Sequence, residues 1–192
     1  MTTREIFHQI KVKQSFLCVG LDVDKDRFPD KIKDQSEKIF NFSKSIIDAT
    51  AQYCVAFKLN IAFFEAYGTE GWNSLQKVMN YLNDCYPEIF TIADAKRSDI
   101  GNTSKRYAKA YFDNFDFDSV TVAPYMGADS VEPFLTYKDR HTILLALTSN
   151  KGAEDFQLLP SGEDPLYEKV IKTSLAWQNS SQLMYVVGAT RA

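Results

Sequence analysis

The sequence predicts a parallel α/β barrel. Two observations lead there: six short β-branched runs alternate with longer amphipathic ones along 192 residues, and the polar residues of those runs gather at their C-terminal ends. Strand-length runs alternating with helix-length patterns give a parallel sheet covered by helices. In parallel sheets, closed or open, sites are built at the C-terminal edge of the strands, and an open sheet concentrates its site at one switch point. A ring of polar ends drawn from several different strands therefore favours the closed form.

The runs come in order. Phe16 to Asp22 is closed by Asp22. Val55 to Asn60 ends on Lys58 and Asn60, and Phe90 to Lys96 ends on Asp94 and Lys96. Ser119 to Tyr125 follows, then Thr142 to Thr148 with Ser149 just beyond it, then Met184 to Thr190. Between them apolar residues recur at helical spacing: Ile39, Phe42, Ile46 and Ala49; Trp72, Leu75, Val78 and Leu82; Ile100, Tyr107 and Tyr111; and, more weakly, Leu166, Val170 and Trp177. No Ser/Gly-rich linker or long charge run divides the chain, so residues 1–192 read as one domain.

Composition narrows the function classes. With 45% hydrophobic and 24% charged residues the chain can bury a core and is not disordered. The 22 Lys+Arg against 25 Asp+Glu leave no basic excess to track a phosphate backbone, and apolar stretches such as Ile143 to Leu147 are far too short for a membrane span. Neither nucleic acid nor a bilayer is expected as a partner. Three cysteines, odd in number and without CxxC spacing, fit a reducing compartment, and nothing at the N-terminus suggests export, so a cytoplasmic location is expected. His8 and His141 lie far from the polar cluster in sequence and are assigned to surface or satisfied positions. No metal site and no Ser/Cys nucleophile motif is apparent.

The chemistry concentrates in Thr91-Ile-Ala-Asp-Ala-Lys-Arg-Ser-Asp99. Side chains two apart in a strand share a face, so Asp94 and Lys96 are expected to point together, with Asp99 following in the loop or first helical turn. A lysine between carboxylates keeps its proton, because opposite charge favours the charged form. An isolated DxKxxD is equally compatible with a solvated salt-bridge cluster. Lys58, at the end of an apolar strand, needs carboxylate neighbours, which Asp94 and Asp99 could supply; snorkelling to solvent is the bland alternative. Asp22 could accept from a ribose hydroxyl, although capping the following turn is the commoner role for such a residue. Thr148-Ser-Asn-Lys-Gly152 could hydrogen-bond a planar ring or form a plain turn.

Taken together, Val19-Gly-Leu-Asp22, Phe57-Lys-Leu-Asn60, Asp94-Ala-Lys-Arg-Ser-Asp-Ile-Gly-Asn-Thr103, Val122-Ala-Pro-Tyr-Met-Gly-Ala-Asp-Ser130, Thr148-Ser-Asn-Lys-Gly-Ala-Glu-Asp-Phe-Gln157 and Val186-Val-Gly-Ala-Thr190 resemble the bacterial-type branch of the orotidine 5'-phosphate decarboxylase family. The segments run in the family's order over nearly the whole chain. The resemblance implies a TIM-type (β/α)8 barrel that converts orotidine 5'-monophosphate to uridine 5'-monophosphate in pyrimidine synthesis, without metal or organic cofactor. It implies that Lys96 protonates C6, that Asp94 lies against the substrate carboxylate, and that Lys58 orients the carboxylates and meets a ribose hydroxyl. It also implies a homodimer in which Asp99 and Thr103 are donated by the partner, while Asp22 binds ribose and Ser149 the pyrimidine.

Two departures stand out. Lys151 occupies a loop position where the family usually has proline, which puts the rigidity of that loop in question. The family also continues through two more βα units bearing a glycine-rich loop and an arginine that grip the phosphate. Only six strand patterns are present here, and such barrels run to about 250 residues. The chain is therefore expected to lack the two C-terminal units, and to be either a fragment of a longer enzyme or degraded in function. The alternative readings are a magnesium-dependent sugar-phosphate decarboxylase or aldolase of the same superfamily, or a non-catalytic nucleotide-binding remnant.

Overall fold

The computed structural model describes residues 1–33 and 36–190. The chain divides into two compact units, Met1–Ala95 with Tyr111–Asp118, and Lys96–Ala110 with Ser119–Ala192.

The first unit opens on α1 (Thr3–Lys13), whose Thr2 cap and Glu5 form a capping box. The helix buries none of its residues, so tertiary anchors hold it. The Lys13 ammonium donates to the Ala51 and Cys54 carbonyls, both at 2.8 Å, and the N-terminal ammonium pairs with Asp118 at 2.6 Å. Then follow β1 (Cys18–Leu21), α2 (Asp30–Lys33), α3 (Lys38–Thr50), β2 (Ala56–Asn60), α4 (Ile61–Glu65), α5 (Gly68–Cys85) and β3 (Phe90–Arg97). The strands run in the order β1-β2-β3, all parallel, with Gly20 opposite Lys58 and Asn60 opposite Asp94. Phe57, Leu59, Ile61, Phe64, Leu75, Val78 and Met79 are fully buried. Each such side chain stabilises by about 1.5–3 kcal/mol relative to exposure. Gly71 permits α4 and α5 to meet, because a Cβ there would overlap the Phe64 carbonyl.

The second unit contains α6 (Gly101–Lys109), β4 (Ser119–Val122), α7 (Ala128–Leu135), β5 (His141–Leu147), a small antiparallel pair β6 (Pro160–Ser161) and β7 (Asp164–Pro165), α8 (Leu166–Ser174) and β8 (Leu183–Val187). The order β4-β5-β8 is parallel throughout. All four residues of β4, Ser119 and Thr121 included, are buried, as are six of seven in β5, whose stretch Ile143 to Leu147 is continuously apolar. Ser104 Oγ donates to the Ser130 carbonyl at 2.7 Å and ties α6 to α7.

All six expected strands form, with their ends shifted by up to three residues. The described residues thus contain six parallel strands, with the two-residue β6 and β7 standing apart as a hairpin around Gly162 (φ 78°). The α3 face differs from expectation: Ile39, Ser43 and Ile47 are buried, whereas Phe42 stacks on Phe28 with ring centroids 4.7 Å apart. Ile100, expected on the apolar face of α6, is 53% exposed, and Ser104 and Ala108 are the buried positions. His8 is exposed and His141 buried at the start of β5.

Candidate active site

In the first unit three strand ends converge on one ammonium. Lys58 Nζ lies 3.3 Å from Asp94 Oδ2 and 3.4 Å from Asp22 Oδ1. The register explains the meeting: Gly20 of β1 lies opposite Lys58 and has no side chain to screen it from Asp22, and Asp94 stands one strand over at the same edge. Asp94 is the buried member at 9% exposure. A buried carboxylate is tolerated when paired with a cation, and Lys58 supplies one. Asp22 is a second carboxylate on Lys58. It is not the cap of the following turn: Asp24 takes that role, its Oδ1 accepting from Asp26 N at 3.0 Å. The turn is fixed further by Lys25, whose backbone N–H donates to the Tyr67 hydroxyl and whose ammonium pairs with Glu70 at 2.7 Å.

In the second unit Lys96 adopts φ 48°, a left-handed backbone in the last turn of β3 before the loop. Plain strand alternation assumes extended residues throughout, which Lys96 is not. A non-glycine residue in this region costs on the order of 1–3 kcal/mol and persists only where its surroundings over-determine it. Two hydrogen bonds do so: Lys96 N–H donates to Thr121 Oγ1 and Ala123 N–H donates to the Arg97 carbonyl, both at 2.9 Å. The Lys96 residue is exposed. Arg97 lies over the Tyr107 ring at 5.2 Å. Asp99 Oδ1 accepts from Ile100 N–H at 2.7 Å at the entrance to α6, and Thr103 sits exposed one residue into the first turn beyond Asn102.

Ser149 is exposed at the end of β5, and its loop is pinned from two sides. Gln157 Oε1 accepts from Thr148 N–H at 2.7 Å while its Nε2 donates to Thr148 Oγ1 at 3.0 Å. Gly188, following β8, donates to the Leu147 carbonyl at 2.7 Å, and a Cβ on it would stand 3.1 Å from both Cα and N of Ser149. Lys151 begins a 3-10 turn, the position where proline is best accommodated, so the Gln157 bonds supply restraint that proline would otherwise give. Gln157 and Thr121 were not assigned roles from sequence. Their signal is weak there, as one lies within a loop and the other within an apolar strand.

Comparison with known proteins decides the family. Residues 15–192 match the model of the orotidine 5'-phosphate decarboxylase / HUMPS family. The chain belongs to this family. It is 62% identical over 192 residues to the orotidine 5'-phosphate decarboxylase of Christiangramia forsetii, covering all of this chain and 71% of that one, and 60% identical to that of Flavobacterium johnsoniae, covering 70% of it. The solved structure of Leishmania donovani OMP decarboxylase superposes with a TM-score of 0.86 at 36% identity, covering 99% of this chain and 72% of that one.

As a member of the orotidine 5'-phosphate decarboxylase family the chain has the TIM-type (β/α)8 fold class, with six of the barrel's strands among the described residues, five of them followed by a helix. A separate cleft of about 440 Å³ beside α6, lined by Asn102, Lys105, Arg106, Lys109, Thr136 and Tyr137, contains none of the strand-end carboxylates and is not part of the candidate site. No helix among the described residues is long and apolar enough to cross a membrane.

Proposed function

We infer that this chain carries out the decarboxylation of orotidine 5'-monophosphate to uridine 5'-monophosphate, and that Lys96 is the proton donor. The single observation that carries the reading is the buried Asp94 carboxylate held on the Lys58 ammonium at the C-terminal edge of β2 and β3, in a chain whose family match spans nearly its whole length. In the reaction the bond between C6 and the carboxylate carbon breaks, CO2 leaves, and the electron pair stays on C6. The Lys96 ammonium then gives its proton to C6, becomes a neutral amine and is reprotonated from solvent. A cation already in place when that charge develops stabilises it without reorganisation. Because the ammonium supplies both the positive charge and the proton, no step calls for a metal or an organic electron sink.

Asp94 is assigned to lie against the substrate carboxylate, Lys58 to orient the carboxylates and meet a ribose hydroxyl, Asp22 to bind the ribose and Ser149 the pyrimidine. Asp99 and Thr103 are assigned to a neighbouring site across a homodimer interface. Exposed apolar side chains support an interface: Ile100, between them in sequence, is 53% exposed, and Tyr125 and Met126, in the turn after β4, are 90% and 44% exposed. Exposed apolar surface of this kind marks association sites. The free cysteines Cys18, Cys54 and Cys85 support a reducing, cytoplasmic location.

The magnesium-dependent sugar-phosphate reading would use the same DxKxxD residues to ligate the ion. Relatives between 53% and 62% identical carry the decarboxylase name, which favours the first reading. Ultraviolet assay of orotidylate turnover with and without a chelator tests the choice. Turnover undiminished by chelator is expected; loss of activity on chelation, restored by magnesium, points to the second reading.

A further inference from the structure

We propose that Thr121 is a positioning residue for the decarboxylation, its hydroxyl holding the backbone of Lys96 in the left-handed conformation that sets where the lysine side chain leaves β3. The inference rests on the assignment of Lys96 as proton donor. At φ 48° this position suits glycine far better than any residue bearing a Cβ. A lysine standing there against that preference has its backbone held by something outside itself.

The restraint is visible on β4. Thr121 is 3% exposed, and its Oγ1 accepts the Lys96 N–H at 2.9 Å. Two residues on, Ala123 N–H donates to the carbonyl of Arg97 at 2.9 Å. The two bonds bracket the left-handed turn, one entering at the Lys96 amide and one leaving at the Arg97 carbonyl. The second is made by backbone and is available to any sequence. The first is made by a side-chain hydroxyl, so it depends on residue 121 being Thr or Ser. A valine of the same shape would fill the space and offer the amide no acceptor. The Lys96 N–H would then seek another partner, and its φ would relax toward the extended region. With the Cα to Cβ direction changed, the ammonium at the far end of the side chain moves by much more than the backbone does.

Thr121→Ser and Thr121→Ala form the informative pair, since both lose the methyl group and differ only in the hydroxyl. Orotidylate turnover and uridine 5'-monophosphate binding by calorimetry are measured on both, beside wild type and Lys96→Ala. Expected results are a kcat for the Ser variant within about threefold of wild type, and a kcat for the Ala variant at least about tenfold lower than the Ser variant. KM and nucleotide affinity should stay within about threefold in both. Equal kcat for Ser and Ala overturns the positioning role even if both fall, because the loss then follows the methyl and the packing. A parallel fall in affinity in the Ala variant overturns it too, since that marks general damage to the site. Failure of the underlying assignment shows differently: near-normal turnover in Lys96→Ala removes the proton donor itself, whatever residue 121 does. If the Ala variant does not fold, Thr121→Val replaces it, compared with wild type on the same criteria.

Discussion

The Lys58 ammonium stands 3.3 Å from the Asp94 carboxylate, and Asp94 is the more buried of the two, with 10% of its side chain exposed against 34% for the lysine. The pair is therefore asymmetric: removing the cation takes a charged partner from a buried anion, whereas neutralising the anion leaves a partly exposed lysine that still has Asp22. Lys58→Met should destabilise the fold by about 1–3 kcal/mol, below the usual value for a fully buried pair because the lysine is a third exposed. Asp94→Asn should cost less than that in stability but about a hundredfold or more in turnover. Urea melts of the two single variants and the double variant check this; a double variant as destabilised as the sum of the singles would mean the two side chains are uncoupled.

Gly188 gives the Ser149 loop its seat. A Cβ at this position would press on the Ser149 Cα and N at 3.1 Å, tighter than ordinary contact, and the atoms it meets are backbone that cannot rotate away. Gly188→Ala should lower stability by about 1–3 kcal/mol. It should also raise KM for orotidylate, because the loop moves with Ser149. Unchanged KM in a folded variant would separate Ser149 from substrate binding.

Lys151 occupies a position ready for proline. Asn150 before it is extended at ψ 152°, as a residue preceding proline must be, and Lys151 opens the 3-10 turn. Lys151→Pro should stabilise the protein by about 0.4–1 kcal/mol through the unfolded chain. A calorimetric scan should show Tm rising by about 1–4 °C. A lowered Tm would mean that the Lys151 backbone does not match a proline.

Asp48 on α3 accepts hydrogen bonds from Lys44 at 2.6 Å, from Tyr86 at 3.0 Å and from Tyr81. Burial pushes its carboxyl upward, but the bonds from Lys44, Tyr81 and Tyr86 outweigh burial and leave it below the ordinary carboxylate value. A depressed folded pKa stabilises the fold above the unfolded pKa and loses that contribution as pH falls through the folded one. The side chain is 39% exposed, so solvent screening limits the effect to a few tenths up to about 1 kcal/mol. The stability gap between wild type and Asp48→Asn should be present at pH 7 and shrink below about pH 4. A gap as wide at pH 3 as at pH 7 would assign it to packing instead.

Much of this was legible in the residues themselves. Six β-branched runs became the six parallel strands because a strand buried on both faces has to be nearly all apolar, as the run Ile143 to Leu147 is. The polar ends were legible for the same reason: Lys58 and Asp94 break otherwise apolar strands and had to find each other. What escaped depends on context that a local pattern does not carry. Helix α1 carries only a short apolar set, Ile6, Phe7 and Ile10, none of it buried, and α7 carries Pro133 inside it, which argues against a helix in isolation. Asp22 looked like a cap because its partner Lys58 is 36 residues away, while Asp24 quietly took the capping role. The left-handed turn at Lys96 was hidden altogether, since the residue that holds it, Thr121, lies on the next strand in sequence.

The most direct test is the turnover of orotidine 5'-monophosphate by Lys96→Ala, followed by ultraviolet absorbance and accompanied by calorimetric binding of uridine 5'-monophosphate to confirm a formed site. The assignment of Lys96 as proton donor requires turnover to vanish against an active wild type while the nucleotide still binds. Decarboxylation at a near-normal rate in that variant would contradict it.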